Sequence, residues 1–261
     1  MLNSQDPHIE YSLKNRVFTL KIDRPDKKNA LLPHMYRSLA AGLNLADSME
    51  DAAVILITGV DNCFTSGNDV NGFIAATDSK ESSDDQPSRM LMHALNETQK
   101  PIVAAISGMA IGIGTTLLMH CDLVYASEDC FLQLPFTRLG LCPEAGSSSL
   151  LPKQIGHQRA AELLLLGDRV SAEKAYEYGL VNKVLPQPDY LNYARQKAFE
   201  LAALPSKSVQ TSKRLLKQTT ITETRAVIDK ELIEFAALLE TPEAQEIVKS
   251  FINRSASGKS S

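Results

Sequence analysis

Three short apolar runs limit what this chain can fold into. Val54-Ile55-Leu56-Ile57 is apolar at both odd and even positions and stops at Gly59. A strand with apolar residues on both faces must be covered from both sides, as in a parallel sheet with helices packed on each face. The runs over 102–107 and 123–126 repeat the pattern. Between them a glycine-containing turn leads into an apolar helical stretch over 113–120. Strands alternating with helices in this way indicate βαβ units, and hence an α/β fold.

The chain ahead of these runs has a different rhythm. Residues 8–22 alternate apolar and polar, with a turn at Lys14-Asn15-Arg16 between strands over 9–13 and 17–22. A polar, turn-rich stretch follows at 23–29. Pro33 then opens a helix whose apolar face carries Met35, Leu39, Leu43 and Ala46. The stretch TDSKESSDDQPS at 77–88 has the composition of a disordered segment, and an apolar helix spans 90–95. After about residue 145 the pattern is almost wholly helical, apart from a strand over 180–185. Amphipathic helices are predicted over 189–203, 206–218, 223–239 and 242–253. The organisation is an α/β core over 1–190 continued by a helical region over 191–261.

Bulk properties exclude several function classes. The 27 basic and 31 acidic residues leave a net charge of −4, which is no footprint for nucleic acid. No C-x-x-C pair occurs among the 4 cysteines, and the 5 histidines show no H-E-x-x-H spacing, so no metal site is indicated. There is no G-x-S-x-G elbow. The polar, acidic start MLNSQDPHIEYS is unlike a signal or transit peptide, and no apolar stretch is long enough to cross a bilayer. A cytoplasmic location is expected.

Four segments carry chemistry, and each has two readings. In CFTSGNDV (63–70) Gly67 permits a close backbone approach, and the amides after it are able to face an anion; equally, the segment is a turn entering a helix capped by Asp69. SGMAIGIG (107–114) lacks the third glycine of a dinucleotide fingerprint, leaving either tight helix–strand packing or anion binding by helix-start amides. In LGLCPEAGSSS (139–149) Pro143 suits the first helical position with Glu144 beside it. That carboxylate is either a favourable helix-start residue or a positioned base kept ionised by the same amide donors. Arg24-Pro25-Asp26-Lys27-Lys28-Asn29 is a cationic turn that either meets phosphates or is simply solvated.

Taken in order, IDRPDKKNAL, CFTSGNDV, SGMAIGIGTTL with CDLVYAS, LGLCPEAGSSSLLPKQIG and LLLGDRVSAEKAYEYGLVNKVLP resemble the crotonase (enoyl-CoA hydratase/isomerase) family across about residues 11–186. The resemblance implies a crotonase-like spiral of ββα repeats with a helical C-terminal trimerisation region, assembled as a homotrimer or a dimer of trimers. It implies an acyl-CoA thioester substrate and no separate cofactor, because coenzyme A belongs to the substrate. By the same resemblance, the main-chain amides of Asn68 and Ile113 form an oxyanion hole. Lys27, Lys28 and Ala30 lie against the coenzyme A, and Ser66 and Gly67 help hold its adenine end.

The departures from the family pattern are informative. Family hydratases carry two glutamates that hold and deliver water; here those positions are Thr116 and Phe136. Glu144 instead falls where peroxisomal-type enoyl-CoA isomerases of the family place their catalytic glutamate. The resemblance therefore implies a 3-enoyl-CoA to trans-2-enoyl-CoA isomerase of fatty-acid oxidation. The competing readings are another crotonase reaction, such as hydration or thioester hydrolysis, and a non-catalytic acyl-CoA binder. RNA binding, found in some relatives, is disfavoured by the charge balance.

Overall fold

The computed structural model describes residue 4, residues 6–69 and residues 86–257, with side chains as far as residue 250. Its strands are β1 (Ile9–Lys14), β2 (Val17–Ile22), β3 (Val54–Thr58), β4 (Ile102–Ile106), β5 (Met109–Ile111), β6 (Leu123–Ser127), β7 (Phe131–Gln133), β8 (Arg169–Ser171) and β9 (Lys183–Leu185). Six of them form one sheet in the order β1-β2-β3-β4-β6-β9. Only the β1–β2 hairpin is antiparallel; every other pair in this sheet runs parallel.

The apolar runs behave as their composition demands. Every residue of β3 and of β4 is buried, and their alternation divides them between two cores. Ile55, Ile57, Ile102, Ala104 and Ile106 face one side, where helices Pro33–Ser48 and Pro87–Glu97 supply Met35, Leu39, Leu43, Leu91 and Leu95. Val54, Leu56, Val103 and Ala105 face the other, covered by Tyr190, Ala194, Ala198 and Ala202 of helix Tyr190–Ala202. Small residues at every fourth position let that helix lie close to the sheet.

A second line of short extended pieces runs beside this sheet. It comprises β5-β7-β8, prolonged by single bridges from Ala110 to Thr65 and from Asn68 to Leu31. Successive passes of the chain place one strand in the large sheet and one short piece in the second line, and then turn through a helix. Thus β2 leads to Leu31 and helix Pro33–Ser48, while β4 leads to β5 and a helical segment over 113–120. This is the ββα spiral of the crotonase fold.

Several expected bounds shift. The predicted helix over 113–120 is α-helical at Ile113–Thr116 and 3-10 at Leu117–His120. Strand β8 interrupts the region expected to be helical up to the strand over 180–185. The strand expected over 180–185 is confined to Lys183–Leu185, because its first residues still leave helix Ala172–Glu177 through Gly179, whose φ is +83°. The C-terminal helices are Ser206–Lys217, Ile221–Leu239 and Pro242–Ser257. Ile228 and Ala244 from this region are fully buried in the main core. The acidic stretch at 77–88 lies outside the described residues as far as residue 85. Among the described residues no helix is long and apolar enough to cross a membrane.

Candidate active site

The cationic turn is folded onto the 63–69 segment by one side chain. Asn29 is fully buried with a positive φ of 53°. Its Nδ2 donates to the carbonyls of Ile22, Cys63 and Phe64 at 3.1, 3.0 and 3.0 Å. Its Oδ1 accepts from the Arg24 amide at 2.7 Å, and its own carbonyl accepts from Thr65 Oγ1 at 2.6 Å. The Arg24 guanidinium adds a 2.7 Å ion pair to Asp69 and a 2.8 Å bond to the Ala30 carbonyl. The Ser66 amide donates to the Lys28 carbonyl at 3.0 Å. Lys28, Ala30, Ser66 and Gly67 are thereby brought together, with Lys27 and Lys28 exposed at the rim. The Asn29 hub was not singled out from sequence, because a lone asparagine in a polar turn carries no pattern. The alternative in which Asp69 caps a helix concerns residues from 70 onward, outside the described set.

Parallel pairing decides where the Asn68 amide points. Leu31 donates to the Gly67 carbonyl at 2.8 Å and accepts from the Asp69 amide at 2.9 Å, so the N–H of the intervening residue faces the opposite way. Thr65 in turn accepts from the Ile111 amide at 3.1 Å, and the Gly112 amide donates to the Gln133 carbonyl at 2.9 Å. Ile113 is the next residue and the first of its helix. Among the described residues neither the Asn68 nor the Ile113 amide has a partner. The two segments touch at Gly67, whose φ is +88°; a Cβ there would stand 2.7 Å from the Ile111 carbonyl oxygen.

Glu144 does not start a helix. Helix Ser147–Ile155 begins three positions later, after Ala145 and Gly146 turn the chain with φ of +58° and +76°. The donors at that helix start are occupied by Glu231, whose carboxylate accepts from the Gly146 and Ser148 amides at 2.6 and 2.9 Å. The expectation that these amides keep Glu144 ionised is therefore corrected. Glu144 is only 4% exposed, and its Oε1 accepts from Thr116 Oγ1 at 2.5 Å. Burial pushes its pKa up to about 8; the Thr116 bond opposes this and the Glu231 charge adds to it.

Other side chains complete the surroundings. The Tyr36 hydroxyl donates to Asn68 Oδ1. Its pKa is raised well above the usual range, first by burial and then by the charge of Glu144. The Glu144 carboxyl, the helix that starts at Ile113 and the Asn68 segment thus converge through Thr116 and Tyr36. His120 Nε2 lies 2.8 Å from the Ala145 carbonyl oxygen and steadies the turn that presents Glu144. Phe136, at the other position where family hydratases carry an acid, packs in the core. Tyr36, His120 and Glu231 were missed from sequence, since each reaches Asn68 or the turn at 144–148 from a distant part of the chain. Among the described residues no group of three or more His, Cys, Asp or Glu is placed to hold a metal ion.

The model of the enoyl-CoA hydratase/isomerase family matches residues 12–257. Enoyl-CoA delta isomerase 2 of Rattus norvegicus is 33% identical over 238 residues, covering 90% of this chain and 61% of that protein's length. The 2,3-dehydroadipyl-CoA hydratase of Escherichia coli is 30% identical over 243 residues, covering 93% of this chain and 94% of the relative. Among solved structures, OdaA of Pseudomonas aeruginosa is 44% identical, with a TM-score of 0.91, 94% of this chain covered and 99% of the other. With the ββα spiral matched over nearly its full length, the chain belongs to the enoyl-CoA hydratase/isomerase (crotonase) family.

Proposed function

We propose that this protein shifts the double bond of a 3-enoyl-CoA to give the trans-2-enoyl-CoA, with Glu144 as its single acid–base group. The observation that carries this reading is a buried carboxyl, hydrogen-bonded to Thr116, beside two segments that each present a main-chain amide with no partner among the described residues. The related proteins include both isomerases and hydratases by name. The choice therefore rests on the residues. Thr116 and Phe136 leave no second acid at the positions where a hydratase holds water, and one such group is worth about 10²–10⁴-fold.

In the proposed reaction the thioester oxygen accepts from the Asn68 and Ile113 amides. Glu144 removes a proton from C2, and the negative charge of the dienolate gathers on that oxygen. The same carboxyl then returns the proton to C4. One residue suffices because removal and return take place on one face of the substrate. A pKa of about 8 suits both halves of this task near neutral pH. Each amide donor is expected to contribute about 10²–10³ in rate. Lys27, Lys28, Ala30, Ser66 and Gly67 are the proposed contacts for the coenzyme A portion, and a homotrimer or dimer of trimers in the cytoplasm is the proposed setting.

The test is turnover of a 3-enoyl-CoA series by purified protein, following conjugation of the double bond and, in parallel, any hydrated product. Glu144→Gln, folded and saturated with substrate, is expected to lose nearly all isomerisation. Retained turnover in that variant, or hydration as the main product of the native protein, would overturn the assignment.

A further inference from the structure

Helix Ile221–Leu239 sends a second carboxylate, Glu231, to the turn that carries Glu144. It is 7% exposed and accepts from the two amides, Gly146 and Ser148, that flank the first residue of helix Ser147–Ile155. Burial raises the Glu231 pKa, and the hydrogen bonds from Ser148 and Gly146 oppose that rise, as donors to a carboxylate favour its charged form. Two carboxylates that feel each other's charge in a dry site ionise at different pH, and the one with more donors ionises first. Glu231 has two amides at the positive end of a helix; Glu144 has one hydroxyl.

We propose that Glu231 is a positioning residue for the isomerisation: it clamps the turn that presents Glu144 and carries the negative charge of the pair, leaving Glu144 as the member that takes up and returns the proton. The inference rests on the reading of Glu144 as the base. It deepens that reading by explaining why a glutamate at a helix approach is a strong base rather than a passive cap. The groups that face the pair are Tyr36 from helix Pro33–Ser48, Thr116 and His120 from the 113–120 segment, and Cys142 from the loop before Glu144. His120 is buried with its pKa lowered to about 3, and the Cys142 thiol is pushed up to about 11, so neither is charged at neutral pH. Among the described residues no cation contributes to the shift of either carboxylate, so neutralising Glu231 is expected to act directly on Glu144.

The experiment has two arms. In the first, kcat/KM against pH is measured for the native protein and for Glu231→Gln, which keeps a carbonyl acceptor for one amide but loses the charge. The acid limb is expected to move to lower pH by about one unit, with KM little changed. A purely structural role for Glu231 would lower kcat evenly and leave the limb in place, which overturns the proposal. In the second arm, carboxyl carbon NMR of the native protein, assigned with Glu144→Gln, reads the order of titration directly. Glu231 is expected to ionise first and Glu144 last; the reverse order overturns the inference. This arm needs neither turnover nor a folded Glu231 variant. Absence of isomerisation in the native protein would sink the function while leaving the titration order to decide the role of Glu231.

Discussion

The Thr116 hydroxyl donates to Glu144 Oε1 across 2.5 Å, so the position at which a family hydratase carries an acid here holds a donor to the proposed base. A bond of this kind favours the charged form of the carboxyl and opposes the upward push of burial. Thr116→Val keeps the shape and removes the donor. The pKa of Glu144 is then expected to climb further, so the acid limb of kcat/KM moves to higher pH. Hydrogen bonds to charged groups are worth about 1.5–3 kcal/mol, so the displacement should be about one unit or more. Activity should fall most at pH 7 and recover in alkaline buffer. A limb that stays in place would mean that Glu144 does not govern it.

The same carboxyl ties stability to pH. In the folded chain Glu144 titrates at about 8 against an ordinary value of 4.5, so between these values the folded state binds more protons than the unfolded one. Stability therefore declines as pH rises through that window, and the full destabilisation is present above about 8. Each pKa unit is about 1.4 kcal/mol, and for a chain of this size 1 kcal/mol moves Tm by about 2–4 °C. Glu144→Gln has no charge to bury. Its Tm should match the native protein near pH 5 and exceed it by several degrees near pH 9. Thermal melts at the two pH values check this, and a gap that does not grow with pH rules it out.

Gly67 separates two kinds of glycine effect. An alanine there would need φ of +88° and would press its methyl against the Ile111 carbonyl oxygen, 2.7 Å away. Relief requires the 66–69 and 111–113 segments to part, which pulls the Asn68 amide away from the Ile113 amide. Gly67→Ala is expected to cost about 10²–10³ in kcat, the worth of one oxyanion donor. Gly156 has nearly the same φ, +85°, but nothing within 4 Å of its missing Cβ. Gly156→Ala should lose only the 1–3 kcal/mol of backbone strain, about that in stability, with kcat unchanged. Equal activity losses in the two variants would refute the argument.

Much of this was legible in the chain. The runs that became β3, β4 and β6 announce themselves by being apolar on both faces, and the ordered motifs single out Asn68, Ile113 and Glu144, the residues on which the proposed function rests. What escaped was carried by residues far apart or too few to make a pattern. Strands β5, β7 and β8 have three residues each, shorter than any periodicity can register. Pro143 looked like a helix start, but the left-handed Ala145 and Gly146 delay the helix to Ser147. The protonation of Glu144 was misjudged for a related reason. Burial by distant parts of the chain raises the Glu144 pKa first, and the helix-start amides are taken by Glu231, which comes from another helix.

Arg24 and Asp69 close the clasp between the cationic turn and the Asn68 segment. Their side chains are 11% and 10% exposed, and the guanidinium also holds the Ala30 carbonyl. Removing one partner of a pair this dry leaves a charge with diminished compensation, which typically costs about 3–5 kcal/mol. Arg24→Ala should therefore lower stability on that scale. It should also raise KM for the acyl-CoA, because Lys27, Lys28 and Ala30 ride on the same turn, and reduce kcat through the loosened Asn68 amide. Asp69→Asn removes the charge from the other side while keeping a polar group of similar size. If the clasp acts as one unit, the double variant should be far less destabilised than the sum of the singles, with a coupling above about 1 kcal/mol. Chemical denaturation of the four proteins measures that coupling. Strict additivity would show that the ion pair does not join the two segments, leaving the turn held by the Asn29 hub and the main-chain bonds of Lys28 and Leu31.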